Sequence, residues 1–221
     1  MAEQRIRVYA WEFPVRLCHW INVLSILTLS VTGYYIGDPF IHATSSKQYI
    51  MGWMRFIHFT AAYTFMMSVI IRLYWSIAGN RYASIRNWFP FTPKRLSAMG
   101  TDIRCYLLIG EKGKCHPGHT QLGGLSYLIV NLMYLFMIFS GFAMYAAAGR
   151  TGALWTVLGG WLLSIMSLQT ARLLHHLVMY FILVFAMIHV YISWFSDSKE
   201  KSGMMGSIFT GYKYVTQRDW E

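Results

Sequence analysis

Charge is scarce in this chain of 221 residues: only 13% are Asp, Glu, Lys or Arg, against roughly 25% in a soluble domain. A soluble globular domain is thereby excluded. Acidic residues are fewer still, nine against 19 Lys and Arg. The three cysteines, Cys18, Cys105 and Cys115, form no Cys-x-x-Cys-His motif, so thioether attachment of a haem is not expected, and no thiolate pattern for an iron–sulfur cluster occurs. No small-residue cleavage site follows the N-terminal tail, which carries Glu3, Glu12 and Pro14. The first apolar run is therefore expected to be retained as a span. Internal repeats and low-complexity tracts are also lacking, which leaves one membrane domain over residues 1–221.

What the sequence does have is apolar length. Hydrophobic residues make up 56% of it, and four runs, near 17–37, 52–78, 122–148 and 173–196, can cross about 30 Å of hydrocarbon as helices. The expected fold is all-α, an integral membrane four-helix bundle. A fifth run, "ALWTVLGGWLLSIMSL" at 153–168, has 16 residues and a central Gly-Gly, and reads as a short interfacial or re-entrant segment on the periplasmic side. Within 79–121, "NWFPFTPKR" is a Pro-punctuated turn, and "KRLSAMGTDIRCYLLI" places Leu96, Met99, Ile103 and Leu107 at helical spacing, as in an amphipathic helix on the inner leaflet. The C-terminal "SGMMGSIFTGYKYV" is a short mixed segment at the same surface, with no role assigned.

Basic residues fix the orientation. Three lie in the N-terminal tail (Arg5, Arg7, Arg16), seven in the 79–121 loop and four in the C-terminal tail, against Lys47, Arg150 and Arg172 opposite. The positive-inside rule puts both termini in the cytoplasm, which requires an even number of spans. The net charge of +10 is thus a topology signal and a match to anionic lipid, and calls for no nucleic acid.

Histidines at membrane depth are costly and persist where they face a cofactor, a partner or water. His19 lies in the first span, His58 in the second, and His175 and His189 in the fourth, with His176 a fifth candidate. At about 100° per residue, fourteen residues return His189 to within about 40° of His175, whereas thirteen leave it about 140° from His176. His175 and His189 share a face but stand about 21 Å apart along the axis, so each needs its own partner. Topology levels His19 with His189 near the inner surface, and His58 with His175 near the outer one. Two bis-histidine sites in a helix bundle are what two b-type haems require. A bare metal site is disfavoured, since no carboxylates or thiolates are grouped beside these rings to complete a zinc or copper shell. Gly33, Gly123, Gly124 and Gly141 would admit a flat macrocycle, though small residues also serve plain helix contacts. Arg16 beside His19, Arg55 near His58, and Arg72 at the inner end of the second span are each suited to a propionate or to snorkelling; the propionate role is favoured for Arg16 and Arg72.

The stretches "RLCHWINVLSILTLSVTG" (16–33) and "HHLVMYFILVFAMIHVY" (175–191) resemble the first- and last-span signatures of the b-type cytochrome subunit of membrane-bound nickel–iron hydrogenases. "RFIHF" (55–59), "GNRY" (79–82), "GH" (118–119) and "TGYK" (210–213) follow in the family's order, so the resemblance covers nearly the whole chain. Tyr180 stands where Trp is common, and Thr-Gln follows His119 where Asn-Pro is frequent. The resemblance implies a dihaem cytochrome b of the bacterial inner membrane that anchors a periplasm-facing hydrogenase of small and large subunits. It would pass electrons from their iron–sulfur clusters to membrane quinone without hydrogen chemistry of its own. His58 and His175 would hold the receiving haem, and His19 and His189 the donating one. His119, at the cytoplasmic start of the third span, is the candidate proton donor to quinone; His116 and His42 have weaker claims. The competing readings are a dihaem cytochrome b of another respiratory enzyme, such as formate dehydrogenase, and a haemless transporter.

Overall fold

The computed structural model describes residues 5–45, 47–89, 100, 121–149 and 152–216. The 94–109 helix expected on the inner leaflet, apart from Gly100, lies outside the described residues, as do His116 and His119. Four long apolar helices dominate: α1 (Phe13–Gly37), α2 (Ile50–Ala78), α3 (Gln121–Ala147) and α4 (Leu168–Glu200). They agree with the four expected spans and make this an all-α integral membrane protein. A short helix α5 (Met204–Thr210) and two strands, β1 (Arg5–Tyr9) and β2 (Tyr212–Thr216), complete the elements that bear on the argument.

Helix ends follow local chemistry. Pro14 sits in the first turn of α1, where its missing N–H costs nothing. Ser167 caps α4, its hydroxyl accepting from the Thr170 amide at 3.1 Å. With 33 residues, α4 is about 50 Å long, more than the hydrocarbon of a bilayer requires.

The chain divides into two compact units. The first, Glu12–Ala78, is the antiparallel hairpin of α1 and α2. Two contacts set its register: the Ser68 hydroxyl donates to the Cys18 carbonyl at 3.2 Å, and His58 meets Thr32 at 2.9 Å. Arg72 therefore lies level with the first turns of α1, at the end that carries Arg16 and His19.

The second unit, Met1–Trp11 with Gly79–Glu221, contains α3 packed on α4. The 153–168 run is not a span. It is broken into Ala153–Trp155, a π-helical turn at Thr156–Gly160, and Leu162–Ile165, and it lies against α3. Gly159 makes this possible: a Cβ there would run into the backbone of Phe142 and Ala143. Edge-on contacts of Trp155 with Tyr145 and of Trp161 with Phe139, at 4.5 and 5.7 Å between ring centres, hold the segment down.

The chain ends of this unit meet. β1 pairs antiparallel with β2, Arg5 opposite Thr216 and Tyr9 opposite Tyr212. The Gly211 carbonyl accepts from the amides of Ala10 and Trp11 at 2.9 and 3.0 Å. Gly211 has φ +89°, and a Cβ on it would lie 2.7 Å from the Trp11 carbonyl oxygen, so only glycine fits. Lys213 is buried, its ammonium 5.0 Å from the Trp11 ring centre, and the Trp11 indole donates to Ser207 at 3.2 Å. Asn80 joins the same knot, donating to the Ala10 carbonyl at 3.1 Å and accepting from the amides of Tyr82 and Ala83. The "GNRY" and "TGYK" motifs thus tie the two chain ends together.

Candidate haem-ligating histidines

Of the three histidines in α4, His175 and His176 are told apart by their partners. The Nδ1 of His175 lies 2.7 Å from the Ser140 hydroxyl of α3. The Nδ1 of His176 instead donates to the Arg172 carbonyl of its own helix at 2.9 Å, so this ring is turned back onto its own backbone. His189 stacks on Phe185, 5.7 Å between ring centres and 21° between planes, and antiparallel packing levels it with the first turns of α3.

In the other unit, His58 of α2 meets Thr32 of α1, with Nδ1 to Oγ1 at 2.9 Å. His19 is half-buried on α1 with its ring edge-on to Trp20. Arg16 is half-buried one turn before it, and Arg72 is 4% exposed on α2. Arg55 is exposed, and the exposed His42 lines a small cleft with Tyr35 and Tyr49 beyond the Thr32 end of the hairpin.

The hydroxyl contacts fix protons. Thr32 Oγ1 is 2.7 Å from the Thr28 carbonyl oxygen, and Ser140 Oγ is 2.7 Å from the Phe136 carbonyl oxygen. Two oxygens that close repel unless a proton lies between them, and a carbonyl brings none. Each hydroxyl therefore spends its single proton on the backbone, and its oxygen accepts from the imidazole. His58 and His175 are consequently Nδ1–H tautomers with the lone pair on Nε2, the form in which imidazole binds a metal.

Glycine follows the hydroxyl in both places. A Cβ on Gly33 would lie 3.2 Å from His58 Cε1, and one on Gly141 would lie 3.8 Å from His175 Cε1. Each hairpin thus presents the same half-site: a hydroxyl–glycine step on one helix cradling an imidazole on the next. Gly124 serves a different purpose, since a Cβ there would strike the Asn87 carbonyl of the preceding loop. Thr32 and Ser140 were not singled out by sequence reasoning. The signal was present as Thr-Gly and Ser-Gly near the ends of the first and third spans, each followed by a histidine early in the helix that packs against it.

Among the described residues, no three His, Cys, Asp or Glu side chains converge on a point. Single imidazoles, turned to offer Nε2 from separate helices, are a donor set suited to the axial positions of a haem iron, whose other four ligands come from the porphyrin.

The comparisons with known proteins agree with that chemistry. Residues 10–211 match the family model described as prokaryotic cytochrome b561. The chain is 35% identical to a protein of Rhizobium leguminosarum bv. viciae named a probable Ni/Fe-hydrogenase B-type cytochrome subunit, over 99% of this chain and 93% of the relative. A protein of Cupriavidus necator with the same name is 34% identical over 93% of this chain and 86% of its own. The probable Ni/Fe-hydrogenase 1 B-type cytochrome subunit of Escherichia coli K12 is 31% identical, over 93% and 90%. The chain belongs to the prokaryotic cytochrome b561 family and is a b-type cytochrome of the membrane, an electron carrier that binds haem b.

Proposed function

We propose that this cytochrome anchors a periplasm-facing nickel–iron hydrogenase in the bacterial inner membrane and delivers its electrons to membrane quinone through two b haems. The names of its relatives support the hydrogenase partner over formate dehydrogenase. The observation that carries the reading of His58 and His175 as the ligands of one haem is the repeated half-site, His58 on Thr32 and His175 on Ser140, each with its lone pair on Nε2. The second haem rests on the sequence placement of His19 and His189. When bound, haem b supplies an iron centre that takes up and releases one electron without a proton.

His58 and His175 bind the haem that faces the hydrogenase small subunit, and His19 and His189 bind the haem that faces the quinone. Arg16 and Arg72, at the His19 end of the hairpin, pair with propionates there. His119 supplies a proton to the quinone from the cytoplasmic side. Both termini lie in the cytoplasm, a placement supported by the pairing of β1 with β2 and by the basic flanks. With His58 and His175 holding the outer haem and His19 and His189 the inner one, electron delivery from a periplasmic hydrogenase to quinone on the cytoplasmic side would be electrogenic. His176, bonded to its own helix, takes no part.

The test is haem content. Purified complex is expected to hold two haem b per chain, with nickel copurifying. His175→Ala is expected to lose one haem while His176→Ala keeps both. Equal loss in the two variants, or molybdenum or tungsten in place of nickel, overturns the assignment.

A further inference from the structure

We infer that Thr32 and Ser140 are positioning residues that set the electron affinity of the haem held by His58 and His175, an inference that rests on the ligand assignment proposed above. The geometry is a relay repeated in two hairpins. The imidazole Nδ1–H donates to a hydroxyl, and that hydroxyl donates to a carbonyl one turn earlier in its own helix: His58 to Thr32 to Thr28, and His175 to Ser140 to Phe136. The steps measure 2.9 and 2.7 Å in the first relay and 2.7 Å each in the second.

Two consequences follow from the direction of these bonds. A hydroxyl that has given its proton to a carbonyl is a polarised and therefore stronger acceptor. An acceptor on the Nδ1–H pushes electron density through the ring onto Nε2 and makes the imidazole a more basic ligand. Greater basicity favours the oxidised iron, so the relays hold the potential of this haem down. Both relays act on imidazoles proposed above as ligands of one haem, and each restrains the plane of its ring, because the ring is tied to a neighbouring helix at one nitrogen. Ser140 is fully buried and Thr32 is 4% exposed, so water does not readily replace either hydroxyl as acceptor. Gly33 completes the first relay, since a Cβ there would press on the His58 ring edge at 3.2 Å.

The experiment is a redox titration of the purified complex, followed at the α band, for Thr32→Val, Ser140→Ala and the double variant, with Thr32→Ser as the conservative control. The expected result is a positive shift of one haem's midpoint potential in each single variant and a larger shift in the double. The other haem stays unchanged, and Thr32→Ser stays at the wild-type value. Unchanged potentials in the double variant at full haem content overturn the inference and leave the hydroxyls as packing groups. If Thr32→Val loses the haem, content decides: retention in Thr32→Ser supports the role of the hydroxyl, and equal loss contradicts it. His58→Ala and His175→Ala run alongside separate the two levels of the proposal. Retention of both haems in those variants defeats the ligand assignment itself, whereas loss of one haem there with unmoved potentials in the hydroxyl variants defeats only this inference.

Discussion

Adjacent histidines at 175 and 176 show how much a single residue's angle decides. One ring reaches α3 and the other bonds to its own helix, as a rotation of about 100° per residue requires. That distinction was legible in the sequence, because angle along one helix needs no knowledge of neighbours. The cradles of His58 and His175 were not. A Thr or Ser inside a span reads as a hydroxyl bonded to its own helix backbone, which Thr32 and Ser140 indeed are. Only the packing of the adjoining helix adds the imidazole. The two cradles also differ in tightness. The added methyl of Gly33→Ala would sit 3.2 Å from His58 Cε1, and that of Gly141→Ala 3.8 Å from His175 Cε1. We expect Gly33→Ala to displace the ring at a cost of about 1 kcal/mol or more, visible as a several-fold drop in retention of one haem through detergent extraction. Gly141→Ala is expected to retain both haems, and the reverse order would contradict the described contacts.

Elements were legible in proportion to how local their cause is. Each of the four spans follows from the length of an apolar run, a property the sequence displays directly. Their ends follow from other chemistry: α4 starts at Leu168, five residues before its apolar run, because Ser167 caps a polar first turn. The pairing of β1 with β2 was illegible. "RIRVY" alternates as a strand does, but its partner lies some 200 residues away, and period alone does not identify a partner. For the 153–168 segment, length excluded a span, and the structure supplies the reason for its Gly-Gly. Gly159 lets the segment lie on α3 with backbone against backbone. Gly159→Ala is therefore expected to lower stability by about 1–3 kcal/mol, as overpacking does, read as a lower midpoint in thermal unfolding of the detergent-solubilised protein. An unchanged midpoint would mean that the segment does not rest on α3 as described.

For the molecule as a whole, the basic flanks and the joined chain ends bear on orientation together. A two-stranded ribbon of residues 5–9 and 212–216 needs both termini on one face, and four spans between them satisfy that. With endogenous cysteines replaced, we expect a cysteine at Lys47 to react with a membrane-impermeant maleimide in intact spheroplasts, and one at Lys201 to react only after lysis. The opposite pattern would invert the proposed topology and the direction of electron transfer.

The central claim is that four imidazoles divide into two couples, each holding one iron. Electron paramagnetic resonance of the oxidised complex, recorded for His19→Ala, His58→Ala, His175→Ala and His189→Ala, tests it directly, because each low-spin haem gives its own signal. The expected result is that the His58 and His175 variants lose the same signal and the His19 and His189 variants lose the other. Loss of one shared signal by the His19 and His58 variants, or survival of both signals in any of the four, would contradict it.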